Sequence, residues 1–209
     1  MLNLDLWLAF VFAAAVVLII PGPTIILVIS QSLAHGRRAV LPQAAGVTLG
    51  DFTAMSMSLL GLGAVLASSA VAFTVLKWIG AIYLISLGLR LWKGGSGESR
   101  IRPAVASASR GSLFRSAFVV TALNPKSIAF FVAFFPQFIS TQNHAFPQFL
   151  VLGSTFLTLA ALNAILYGVF AGRLRDAIQN PKVRRCFDLC GGTALILAGV
   201  ATASVQRSS

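Results

Sequence analysis

The chain has 209 residues, 57% of them hydrophobic and 10% charged, with a mean hydropathy of +0.87. Soluble domains carry about 25% charged residues, so the composition excludes a water-soluble globular protein and fixes an integral membrane protein in contact with a lipid bilayer. A net charge of +11 would suggest nucleic acid in a soluble chain, but here no nucleic-acid partner is expected, because the charge lies in the connections between apolar runs, where it orients helices.

Six apolar runs follow one another, near residues 4–30, 39–67, 70–92, 113–140, 146–171 and 186–205. Each is long enough for the ~20 residues a bilayer core requires, which predicts an all-α polytopic protein with six transmembrane helices. No basic stretch precedes the first run, and a cleaved signal peptide is not expected.

The first run is interrupted by Pro21-Gly22-Pro23. Proline has no amide proton and its ring clashes with the carbonyl four residues back, so Pro21 and Pro23 free the carbonyls of Val17 and Ile19. Backbone left bare at membrane depth is tolerated only where protein covers it or a watery cavity meets it. Gly22 followed by Pro23 also reads as an N-cap and first helical residue, the start of a new helix.

In the second run Gly46, Gly50, Ala54 and Ser58 recur every four residues, a narrow face that lets another helix approach closely. Asp51 is the acidic residue deep in a span, at a cost of roughly 2.5–3.5 kcal/mol on insertion scales, and should hold a partner or a proton. Lys77, in the third run, lies at a matching depth. With a rise of ~1.5 Å per residue, Asp51 stands about 18 Å above the inner surface and Lys77 about 10 Å below the outer one. An Asp51–Lys77 ion pair is expected, either structural or opening and closing as protons are exchanged.

Residues 93–111 are rich in Gly, Ser and Arg and lack apolar periodicity, a linker between a first repeat (1–92) and a second (112–209). Three spans on each side make the two halves cross the membrane in opposite senses, the topology of inverted repeats. The fourth run carries the corresponding break, Asn124-Pro125-Lys126, where Pro125 frees the carbonyl of Thr121. Asn124 is an N-cap and Pro125 a first helical residue. The two new helix starts run in opposite directions, so their positive ends can share one central space, with Lys126 adding to a field suited to a carboxylate. The plainer alternative is a pair of proline kinks filled by neighbouring side chains. Asn163 and Tyr167 in the fifth run could line a pathway or bond backbone, and Cys186 and Cys190 in the sixth read as small packed thiols.

Thirteen of the sixteen basic residues fall in or beside the connections after the first, third and fifth runs. These connections should face the cytoplasm, with both termini outside. His35 and His144 then lie on opposite sides and cannot form one metal centre. No nucleophile with a base and no phosphate-binding loop is present, so neither an enzyme nor a bound cofactor is expected, and energy would come from an ion gradient.

The segments PGPTIILVISQSLAHGRRA, GVTLGD, LKWIGAIYLISLGLRLWKG and FRSAFVVTALNPKSIAFFVAFFPQFI together resemble the LysE/RhtB family of bacterial amino-acid exporters. The resemblance implies proton-driven export of amino acids or derivatives across the cytoplasmic (inner) membrane by a small six-helix protein able to form a homodimer. Its motif positions fall on Pro21, Gly22, Pro23, Gly50, Asp51, Asn124, Pro125 and Lys126, with Lys77 where a basic residue is common. With Asp51 answered by Lys77, no fixed anion is spare for a basic side chain, and a neutral amino acid is expected. A passive channel or a non-transporting scaffold could use the same kinks.

Overall fold

The computed structural model of the chain describes residues 4–68, 70–93, 108–139, 144–173 and 180–204, and every regular element among them is helical. Helix α1 (Leu4–Ile19) stops two residues before Pro21, and α2 (Pro23–His35) begins on Pro23 with Gly22 as its N-cap. A 3-10 turn at Gly36–Ala39 leads into α3 (Val40–Ser68). Gly36, at φ 65° and ψ −158°, occupies a region essentially confined to glycine, and it ends α2. Helix α4 spans Ala70–Trp92.

Helix α5 (Arg110–Ala122) starts earlier than the expected linker end. Ser109 is the reason: its hydroxyl accepts the Ser112 amide (3.2 Å), an N-cap that draws Arg110 and Gly111 into the helix. After the second break comes α6 (Pro125–Ala129), then a π turn over Phe130–Phe134 and a 3-10 turn over Phe135–Phe138. A uniform helix was expected here. Pro136 cannot donate to the carbonyl four residues back, and the ladder changes register around it. Helices α7 (Ala145–Val169) and α8 (Pro181–Ser204) complete the chain.

Among the described residues α7 is long and apolar enough to cross a bilayer unbroken, and the pairs bent at the two breaks, by 55° and 41°, qualify when each is taken as one span. Large apolar side chains such as Phe12, Leu41, Leu60 and Phe146 stand on the outer surface. Water would penalise that belt, but lipid does not. Cys186 and Cys190, expected to be packed, are exposed on α8. Asp188, two residues from each and so on the other face of the helix, is buried, a second buried acid in addition to Asp51.

Two close helix seams hold the fold. The small face of α3 lies against α5: a Cβ on Gly50 would come within 2.8 Å of both Phe118 O and Thr121 Cβ, and one on Gly46 would meet Phe114 O and Ala117. Helix α4 packs along α8 in the same way, Gly88 against Gly192 and Ile196, Gly199 against Ile85. Glycine here permits backbone approach, which is how helices associate without a hydrophobic drive. Helix α7 runs along α1 and then α2, and two apolar clusters result. One gathers Phe10, Ala14, Phe130, Phe131, Phe135, Phe138, Leu152 and Phe156, with Phe131 and Phe156 edge to face at 4.9 Å. The other gathers Ile25, Val28, Ile29, Val47, Ala117 and Ala164. The breaks lie between them.

Candidate functional site

The end of α1 exposes the last carbonyls of a helix whose continuation the prolines forbid. Each of the four has found a side chain. Lys126 Nζ donates to Val17 O (2.9 Å) and Ile20 O (2.8 Å), Asn163 Nδ2 to Leu18 O (3.1 Å) and Tyr167 Oη to Ile19 O (2.7 Å). The ammonium therefore stands at the negative end of the α1 dipole, where a cation is favoured. Asn163 and Tyr167 bond backbone, the second of the two readings their sequence allowed. Tyr167→Phe keeps the packing and deprives the Ile19 carbonyl of its donor. It should cost about 1–3 kcal/mol, read as a fall of roughly 4 °C in the Tm of purified protein.

Across the break, Gly22 supplies no side chain to cap α2, and the Ile26 amide makes the helix's first backbone bond, to Gly22 O (3.0 Å). The first turn is instead tied to the other break. Thr24 Oγ1 accepts from Asn124 Nδ2 (3.2 Å) and Thr121 Oγ1 (3.3 Å), all three residues being buried. Asn124 also caps its own helix, its Oδ1 accepting the Lys126 amide (3.0 Å), and the freed Thr121 carbonyl takes the Asn124 amide (3.0 Å). One side chain thus closes a helix start and joins the two breaks. Asn124→Ala removes both, and we expect a loss of about 2 kcal/mol, a cap plus a buried hydrogen bond, again measured as Tm.

Asp51 is 2% exposed. Its carboxylate hydrogen-bonds with the Ser127 side chain and feels the charge of Lys126, while Oδ1 has no hydrogen-bond partner. Lys77 lies on α4, but its side chain, and with it the expected Asp51–Lys77 pair, falls outside the described residues. Gly50, one residue before Asp51, is where α3 rests on Thr121. Gly22 abuts Lys126, so close that a Cβ there would lie 3.3 Å from Nζ. Pro21 is half-buried, whereas Pro23 and Pro125 are exposed and act by ending and starting helices. Three hydroxyls that the sequence reading did not single out, Thr24, Thr121 and Ser127, complete the node. Their signal was position: each lies within three residues of a break.

A second polar group surrounds the end of α2. Gln31 Nε2 donates to Ser116 Oγ (2.8 Å), and Gln43 Nε2 to Ser32 Oγ and Ala39 O (both 3.1 Å). His35, expected in an open connection, is buried as the last residue of α2. Its Nδ1 lies 3.0 Å from Gln31 O, and Nε2 accepts the Ala108 amide (3.1 Å).

A broken helix held at one end by Lys126 and at the other by Asn124 through Thr24 is a construction that recurs in transporters. The sequence model that describes LysE type translocators matches residues 15–205. The chain belongs to the LysE family. It is accordingly a membrane transporter rather than an enzyme. Among its relatives in the family, an uncharacterized membrane protein of Vibrio cholerae is 34% identical over 98% of this chain and 100% of its own length. A homoserine/homoserine lactone efflux protein of Salmonella typhi is 32% identical, over 99% and 100%. A leucine efflux protein of an Enterobacter species is 31% identical, over 81% and 80%. No solved structure matches this LysE family chain.

Proposed function

We propose that this protein exports neutral amino acids or close derivatives across the bacterial cytoplasmic membrane in exchange for protons. The observation that carries the reading is the meeting of the two breaks: Asn124 bonded to Thr24, and Lys126 bonded across to the end of α1. Buried polar atoms at interrupted spans are costly to keep and are retained where a solute must be met. The node lies between two apolar clusters, an arrangement suited to a carrier with an occluded site rather than to an open channel. Asp51 faces Ser127 and Lys126 and in this reading serves the amino group, so among the described residues of the node no second carboxylate remains for a basic side chain. The substrates named for the relatives, homoserine and leucine, have uncharged side chains.

In this reading the substrate carboxylate meets the helix starts at Gly22-Pro23 and Asn124-Pro125, with Lys126 alongside, and Asp51 takes the amino group and a proton in alternation. Six spans follow if α1 with α2, and α5 with the segment to Phe138, each count once. Two inverted repeats, 1–92 and 112–209, joined by 93–111, are supported by packing: α3 lies along α5, and its counterpart α7 lies along α1 and α2. The basic connections face the cytoplasm, and the protein can work as a homodimer.

The test is release of labelled homoserine and leucine, one at a time, from proteoliposomes with an imposed pH gradient. Uphill movement that collapses with a protonophore is expected. Release that only ever follows the amino-acid gradient would make the protein a channel instead.

A further inference from the structure

Lys126 is the cation of this node, yet its ammonium is not directed at any anion alone. Two of its three protons are given to Val17 O and Ile20 O, at 2.9 and 2.8 Å. Val17 O lies in the last turn of a sixteen-residue helix and Ile20 O just past its end. Val17 O would be bare without the lysine, because Pro21 has no amide to give it, and Ile20 O stands outside the helical ladder. Nearby, a carboxylate that is 2% exposed keeps Oδ1 free of any hydrogen bond while its charge acts on the same ammonium. Two carbonyl oxygens, a helix's negative end and an unsatisfied carboxylate oxygen form a receptor for one chemical group, a primary ammonium. The start of α2, with its uncapped first turn, lies against the same lysine through Gly22.

We infer that the end of α1, with Asp51, is the subsite for the α-ammonium of the substrate, and that Lys126 is a tethered occupant which holds the subsite in the empty carrier and is displaced by substrate. The inference rests on the reading of the breaks as the translocation site and assigns the two ends of the substrate within it. One break then recognises a whole zwitterion. The arriving ammonium takes the carbonyls of Val17 and Ile20, and the released Lys126, needing only a short movement past Gly22, turns to the carboxylate at the start of α2. The exchange conserves charge at the carbonyls, so neither the helix end nor Asp51 is left unpaired at any stage. A ligand with an amino group and no carboxylate can still bind. A ligand with a carboxylate and no amino group leaves Lys126 where it is and binds poorly.

The decisive measurement is chemical replacement of the missing ammonium. Purified Lys126→Ala protein in detergent should melt below wild type, and methylammonium chloride should raise its Tm saturably, by about 5 °C at large excess over its dissociation constant. Sodium chloride and tetramethylammonium chloride at equal ionic strength should not. A Tm that responds equally to all three salts overturns the inference. If Lys126→Ala does not accumulate folded, wild-type proteoliposomes decide, using labelled leucine exchange with the same pH on both sides. Isoamylamine, which keeps the amino group, should inhibit at concentrations about tenfold below 4-methylpentanoate, which keeps the carboxylate, since only the amine can replace Lys126 on the carbonyls of Val17 and Ile20 and a buried charge contact is worth at least that factor. Equal potency, or the reverse order, overturns it. The melting experiment does not depend on transport, so the inference can fail while amino-acid export stands, and export can fail while the ammonium subsite stands.

Discussion

Asp51→Asn should abolish uphill export while leaving the amount and the Tm of the protein close to wild type. Asparagine has the same shape and can keep the hydrogen bond with Ser127, and Lys126 remains anchored on Val17 O and Ile20 O, so the fold retains its contacts. What disappears is the one negative charge in the node and the atom able to carry a proton. The substrate ammonium then loses its carboxylate, and a lost buried charge contact on binding costs on the order of 3 kcal/mol, about a hundredfold in affinity. In proteoliposomes with an imposed pH gradient, efflux should therefore fall to the level of empty vesicles. Undiminished transport by this variant would remove Asp51 from the mechanism.

Gly50→Leu is expected to act on the fold with comparable force. At this position even a Cβ would be pressed to 2.8 Å from Phe118 O and Thr121 Cβ, a backbone oxygen and a carbon fixed to the backbone, neither of which can rotate aside. Three further carbons would have to separate α3 from α5 along the seam. Overpacking of this kind costs about 1–3 kcal/mol where side chains can yield and more where they cannot, and the displacement also draws Thr121 away from Thr24. The variant should be degraded or elute as aggregate on size-exclusion chromatography. Gly61, on the same helix but with nothing within 4 Å of an added Cβ, should tolerate leucine, which separates the effect of the seam from that of bulk.

The breaks were legible because their cause is local. Proline withdraws an amide wherever it stands, asparagine caps a helix with its own side chain, and so Pro23 and Pro125 could be read as first helical residues with no knowledge of the neighbours. Depth was legible too, since rise per residue is fixed. Azimuth was not. Height placed Asp51 at depth but could not announce Ser127 and Lys126 as its neighbours, because they belong to a span that the rise calculation could not rotate into place; the Lys77 side chain lies outside the described residues. The small face of α3 announced a close partner without saying that the partner was α5. Lys126 was recognised as a charge near the helix starts, but a flexible four-carbon stem allows many targets, and its choice of the carbonyls at the end of α1 depends on how two segments more than a hundred residues apart approach. The π and 3-10 turns before Ile139 escaped for another reason: Pro136 signals trouble for a helix, yet not which of several relaxed ladders the phenylalanines will select.

The glycine seams constrain how such a machine can move. One binds α3 to α5 and the other α4 to α8, so each fastens the first part of the chain to the last. Parts sewn together along two lines cannot swing open like the covers of a book. Whatever lets solute through must flex where no seam runs, in the short stretches on either side of Pro21 and Asn124, with the sewn helices serving as the fixed frame.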